Sequence, residues 1–215
     1  MSRSSKRGRS SSTSHGSSSF AGTLTRTGGR LPANLGEKKN IDTSVTFPTF
    51  GVATGAITLL NGCAQGTTAS TRLGRQIRLT SLYLRAAWAM APTSTGSTPI
   101  RVMVVYDKQA NATPPAATDV LVTDVLQNVN NLSNSRRFVT LLDHVVPCIG
   151  TAGPQSVSLV LYKKLNHMVE FNAGSAGTIG DIQSGSVYAL IWNLGTIGVA
   201  SLVGLVVTRI RFTDL

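Results

Sequence analysis

Acidic residues are what this chain has least of: Asp and Glu number nine against twenty Lys and Arg, leaving a net charge of +11 over 215 residues. An excess of one sign says little about fold, but it selects for acidic partners such as polymers of phosphate. Cysteine is almost absent. Cys63 and Cys148 are the only two, too few for a disulfide framework and without the paired spacing of a zinc site, which fits synthesis in a reducing compartment. Aromatics make up 6% of the chain and are not interleaved with the charges, so base stacking and sequence readout are not expected. No apolar stretch follows the basic residues of the first thirty, so no secretory signal is expected, and Met1-Ser2 lacks the glycine that myristoylation needs.

Catalytic motifs are missing too. No GxxxxGKS or GxxxxGKT phosphate loop and no GxGxxG after a strand is present, which leaves nucleotide hydrolysis and dinucleotide binding without support. His15, His144 and His167 stand too far apart in sequence for a metal constellation of imidazoles, and a lone strand histidine is ordinarily a surface or hydrogen-bonded residue. The stretch Gly180-Asp181-Ile182-Gln183-Ser184-Gly185 holds the letters of a serine-protease loop with two residues too many between Asp181 and Ser184. It reads as a polar turn. Asp107, Asp119 and Asp124 could reach a divalent cation, but they lack the alternate-position spacing of a calcium loop and read as a turn residue and a helix cap. The expectation is a protein that is not an enzyme, with no cofactor and no metal.

What is present is concentrated at one end. Arg3, Lys6, Arg7, Arg9, Arg26, Arg30, Lys38 and Lys39 face Glu37 alone, which puts +7 of the +11 in the first forty residues. The stretch is otherwise mostly Ser, Gly and Thr, as in MSRSSKRGRSSSTSHGSSS, too poor in apolar residues to offset the entropy of ordering it. Residues 1–40 are therefore expected to be a disordered cationic arm that binds nucleic acid through phosphate, electrostatically and without sequence preference. KRGR at Lys6 to Arg9 also has the composition of a nuclear import signal, which makes a host import receptor a second expected partner.

Residues 41–215 are only mildly basic, with twelve cations against eight acids, and suffice for one all-β domain. Short β-like runs near 43–47, 54–60, 76–90, 100–107, 137–147, 157–171, 186–193 and 203–212 alternate with Gly, Pro, Ser, Asn and Thr clusters. Val206, Thr208, Ile210 and Phe212 fall on one face and Val207, Arg209 and Arg211 on the other, the pattern of a half-buried strand. Around Val102 to Tyr106 both faces are apolar, so that strand is expected to be covered twice. Lys163 and Lys164 interrupt the 157–171 run, where a turn or bulge is expected. Val187 to Val207 is uncharged over twenty-one residues, long enough to cross a bilayer. Asn193, Gly195, Thr196, Gly198 and Ser201 break its middle, so it reads as two strands, and no membrane partner is expected. Long connections at 61–75 and 108–136 favour Greek-key crossings, with one short helix within Ala116 to Gln127 capped by Thr118 or Asp119. Eight strands, long crossovers and one minor helix fit an eight-stranded antiparallel jelly-roll sandwich. Arg72, Arg75 and Arg78 recur every third residue in TRLGRQIR and either extend the positive surface onto this body or solvate a sheet edge.

The blocks TRLGRQIRLTSLYLRAAW (71–88), IRVMVVYDKQANATPP (100–115), SRRFVTLLDHVV (135–146), YKKLNHMVEFN (162–172) and GTIGDIQSGSVYALIW (177–192) occur in an order that resembles a family. It is that of the single jelly-roll capsid proteins of small circular single-stranded DNA viruses, which are similar in turn to the coat proteins of satellite tobacco necrosis virus and related small RNA viruses. The resemblance implies a homo-oligomeric icosahedral shell, T=1 with about sixty copies, whose arms point inward onto a single-stranded genome, DNA favoured over RNA. It implies a place in the virion, and in the host nucleus during assembly. The competing reading is a non-viral, lectin-like jelly-roll module with a basic targeting tail; a membrane-anchored protein using 187–207 as its span ranks below it, and an enzyme last.

Overall fold

Period-two burial organises the strands. In β3 (Gln76–Met90) the buried side chains are Ile77, Leu79, Ser81, Leu82, Leu84, Ala86, Trp88 and Met90, while Arg78, Tyr83, Arg85, Ala87 and Ala89 are exposed. One face of this strand is thus core and the other is not. The structure, a computed structural model, describes residues 37–47, 56–90, 97–149, 155–193 and 202–215. Arg3, Lys6, Arg7, Arg9, Arg26 and Arg30 lie outside the described residues, as do residues 194–201 in the middle of the long uncharged stretch.

The other strands are β1 (Lys38–Phe47), β2 (Ala56–Leu59), β4 (Ser97–Asp107), β5 (Phe138–Ile149), β6 (Gln155–Phe171), β7 (Ile182–Ser184), β8 (Ser186–Asn193) and β9 (Leu202–Asp214). They form two antiparallel sheets, ordered β1-β9-β3-β6-β7 and β2-β8-β4-β5. The pairs β1·β9, β2·β8, β3·β6 and β4·β5 are nested one within another. That is a long antiparallel ribbon doubled on itself and rolled into two layers, the eight-stranded jelly roll. β7 is an addition to it on the far side of β6.

The eight expected strands are all present, with three corrections around them. β1 begins at Lys38, so the last residues of the expected arm belong to the sheet. Residues 182–184, expected as a polar turn, make a short ninth strand, and the turn itself falls on Gly185 at φ +87°, a conformation that suits glycine. The expected helix shrinks to one turn, α1 (Ala117–Val120), started by Ala116 rather than by Thr118 or Asp119. Asp119 instead reaches back, its Oδ2 accepting from the Ala116 N–H at 2.8 Å. Among the described residues no helix is long and apolar enough to cross a membrane.

A larger role for the β4–β5 connection explains why β8 is buried at every position. Val187, Ala189 and Ile191 enter the core between the sheets, with Val102 and Val104 of β4. The opposite face carries Tyr188, Leu190, Trp192, Met103 and Val105, and Ala117, Val120, Leu121 and Leu126 of the connection pack on it as a second core. Arg101 pins that covering segment. It donates to Asp143 through Nε at 2.8 Å and Nη2 at 2.6 Å, and through Nη1 to the carbonyls of Leu126 and Asn128. The Trp192 indole donates to Asp124 at 2.7 Å from the other side.

Near Lys164 the register shifts as expected. Arg211 and Phe212 of β9 span the same stretch as Leu79 to Ser81 of β3 and Lys164 to His167 of β6. Each successive strand carries one extra residue, which curls the sheet. At the other end of β3, Gly204 of β9 lies opposite Trp88, and a Cβ there would fall 2.2 Å from the indole Cδ1. Gly204→Ala must push a buried ring aside, so it should cost about 1–3 kcal/mol. Urea unfolding followed by circular dichroism checks this, and an unchanged midpoint would contradict the packing.

Candidate nucleic-acid interface

Of the two sheets, the four-stranded one has its far side covered by the β4–β5 connection, whereas the far side of the five-stranded one carries exposed side chains on β1, β9, β3 and β6. Alternation and register decide what those are. Asp42, Arg209, Tyr83 and Tyr162 form one row across the strands. The next row is Ser44, Val207, Arg85 and Val160, followed by Thr46, Leu205, Ala87 and Ser158. In the opposite direction come Asn40, Arg211 and Lys164, then Lys38, Arg78 and Met168 at the end. This face therefore carries six cations, Lys38, Arg78, Arg85, Lys164, Arg209 and Arg211, against the acids Asp42 and Glu170. The cations occupy one half of it and small or apolar residues the other.

Asp42 engages one of the six. Arg209 donates to both its carboxylate oxygens at 2.7 Å, and this hydrogen bonding holds the Asp42 carboxyl below its usual range and raises the arginine. A depressed carboxylate contributes its stability above the ordinary carboxylate pKa and loses it only as pH falls through the lowered value. The pair is thus closed at neutral pH, but it is half-exposed and exchangeable for another anion.

The residues expected from sequence divide sharply. Lys38, Arg75 and Arg78 are exposed, and Lys38 and Arg78 come together at the cationic end of the face. Lys39 and Arg72 are buried, which corrects the expectation that they add to a positive surface. The Lys39 ammonium donates to the Thr71 carbonyl at 3.0 Å and pairs with Asp214 at 3.0 Å. Arg72 stacks over the Phe171 ring, 4.2 Å from its centre. Its guanidinium donates to the carbonyls of Cys63 at 3.3 Å, Gly74 at 2.6 Å and Gly174 at 2.5 Å, tying the β2–β3 connection to the β6–β7 loop. The every-third spacing of 72, 75 and 78 straddles the start of β3, so its members do not share a face. Arg85, Lys164, Arg209 and Arg211 share the open face with Lys38 and Arg78 and were not among the residues expected from sequence. Their signal lay in strand parity, which needs the pairing register before it joins distant segments.

The remaining candidates serve the fold. Asp107 is buried, accepts from Arg137 at 2.9 and 2.8 Å and from the Gln109 N–H at 2.9 Å. Hydrogen bonding to that carboxylate raises the Arg137 pKa. His144 is exposed on β5, while the His167 ring stacks on Tyr106 at 4.4 Å and burial lowers its pKa. Among the described residues no group of three His, Cys, Asp or Glu could hold a metal. Burial also pushes the Cys63 thiol up to about 11, an environment unsuited to a nucleophile or thiolate ligand.

A sequence model of the family described as satellite tobacco necrosis virus coat protein matches residues 33–215. No curated protein matches the chain. Solved structures similar to it include that of Desmodium yellow mottle tymovirus, 12% identical over 84% of this chain and 89% of that one, with a TM-score of 0.33. The empty head of turnip yellow mosaic virus is 14% identical over 99% and 90%, with a TM-score of 0.31. The 60-mer BFDV capsid protein is 9% identical over 83% and 93%, with a TM-score of 0.33.

The division between buried and exposed arginines is directly testable. Arg72→Gln strands three carbonyls in the fold and should destabilise it by about 3 kcal/mol, whereas Arg78→Gln on the open face should stay within about 0.5 kcal/mol. Chemical denaturation of both variants measures the difference; equal small effects would contradict the clamp assigned to Arg72.

Proposed function

Since the chain belongs to the satellite tobacco necrosis virus coat protein family, a structural protein of the virion, we propose that it closes into a T=1 shell of about sixty copies around a single-stranded genome, circular DNA in preference to RNA. The basic arm and the open face of the five-stranded sheet turn inward onto the phosphates. The observation that carries this reading is where the charge sits. The first forty residues hold +7, and β1 starts at Lys38, on the same end of the open face as Arg78. The chain thus enters the sheet at the cationic end of its open face.

Electrostatics account for the division of labour. Sixty arms, each with the six cations Arg3, Lys6, Arg7, Arg9, Arg26 and Arg30 that precede β1, supply roughly 360 charges, which release counterions from a comparable number of phosphates. The six face cations extend this supply at fixed positions, and Lys39, Arg72, Arg101 and Arg137 take no part because they hold the fold. Lys6 to Arg9 serve a second use before assembly, docking to a host import receptor that carries the subunit to the nucleus.

Purified protein should form uniform closed particles by electron microscopy, with a nucleic acid inside that resists nuclease until the shell is disrupted and then yields to DNase. Particles that never form, or contents digested by RNase alone, would overturn the shell or the DNA preference respectively. Replacing Arg3, Lys6, Arg7 and Arg9 by Gln should weaken binding of unrelated single strands alike and reduce the salt slope by up to about 3. An unchanged slope would remove the arm from the account. Asp42→Asn releases Arg209 and should act in the opposite sense, tightening binding and steepening the slope by about 0.7; weaker binding across the same salt series would argue that the face is not in contact.

A further inference from the structure

Tyr83 and Tyr162 lie far apart in sequence and directly opposite each other in the sheet. Both are on the open face, 39% and 58% exposed. Opposed residues on paired strands bring their Cβ atoms to about 5 Å, so the two side chains leave the sheet from adjacent positions. Cations surround them. Arg209 is the other cross-strand neighbour of Tyr83, Arg85 follows two positions along β3, and Lys164 lies two positions along β6, each about 7 Å away by strand rise. Arg211 completes the ring, one row from the pair. Strand propensity and cross-strand pairing favour two opposed tyrosines on an open face; their place at the centre of its cationic half also puts two exposed aromatic rings where phosphates would be held.

We propose that Tyr83 and Tyr162 are a stacking platform for unpaired bases, which makes the open face select single-stranded over duplex nucleic acid. The proposal rests on the reading that this face contacts the genome. Every base has a π-face, so stacking is tolerant of sequence and adds to phosphate contacts without replacing them. A duplex hides its base faces in its own stack and offers only its backbone, which the cations bind but the rings do not. The arrangement thus supplies what charge alone lacks, a preference for the unpaired state. Thin distribution of the aromatics along the chain conceals it, because β3 and β6 contribute one ring each.

The test uses the full-length chain with a dT 20-mer and a 20-base-pair duplex as probes, their binding followed by anisotropy over a salt series. The double variant Tyr83→Leu/Tyr162→Leu should lose about tenfold in single-strand affinity while duplex binding and both salt slopes stay as they are. Tyr83→Phe/Tyr162→Phe should bind like the parent. Equal losses for both probes, or no loss for the single strand, would overturn the platform. Should the Leu variant fold poorly, photocrosslinking of a 5-iodouracil 20-mer to the unaltered protein decides: adducts on Tyr83 or Tyr162 support the proposal, and their absence from both refutes it. Failure of the underlying reading looks different, for then the face substitution Arg209→Gln/Arg211→Gln leaves the salt slope of both probes unchanged.

Discussion

Alternation along β3 and β9 is the constraint on which the rest of the molecule depends. Burying Leu82, Leu84, Ala86 and Trp88 in one direction obliges Tyr83, Arg85, Ala87 and Ala89 to point in the other. Register then multiplies the effect. With β9 paired on one side and β6 on the other, Arg209, Arg211, Tyr162 and Lys164 join the same surface. A shift by one residue would bury this set and expose the core, so the hydrophobic core itself enforces the composition of the open face.

The two sheets of the sandwich solve the problem of their second face differently. The four-stranded sheet buries Met103, Val105, Tyr188, Leu190 and Trp192 under the β4–β5 connection, and Arg101, Asp143 and Asp124 hold that cover in place. The five-stranded sheet leaves cations, tyrosines and small residues open. Charge in the body accordingly has two uses. Lys39, Arg72, Arg101 and Arg137 bond to carbonyls or carboxylates within the fold, where removing one partner strands the others; the arginines of the open face, Arg209 paired with Asp42 among them, stay exposed and under the proposed function meet the phosphates.

Much of this was legible in the chain. The eight strands follow from period-two patterning and turn residues, and the apolar runs on both faces around Val102 to Tyr106 announce a strand covered on both sides. The blocks at 71–88, 135–146 and 177–192 carried the family. What stayed hidden depended on long-range pairing. Nothing local marks Arg72, in the loop before β3, as the residue that lies over Phe171, whereas the alternation of Ile77, Arg78 and Leu79 already turns Arg78 to solvent. The single turn at Ala117–Val120 outweighed its longer helical pattern because Leu121 and Leu126 are needed against Tyr188 and Trp192. The Tyr83 and Tyr162 pair exists only once β3 and β6 are aligned across the bulge near Lys164.

The central claim is that the open face of the five-stranded sheet looks onto the genome. The structure of assembled, filled particles determined by electron cryomicroscopy tests it most directly. The account predicts that Arg85, Arg209, Arg211, Tyr83 and Tyr162 line the interior, with nucleic-acid density in contact with them. Finding that face on the outer surface of the shell, or sealed against a neighbouring subunit, would contradict it.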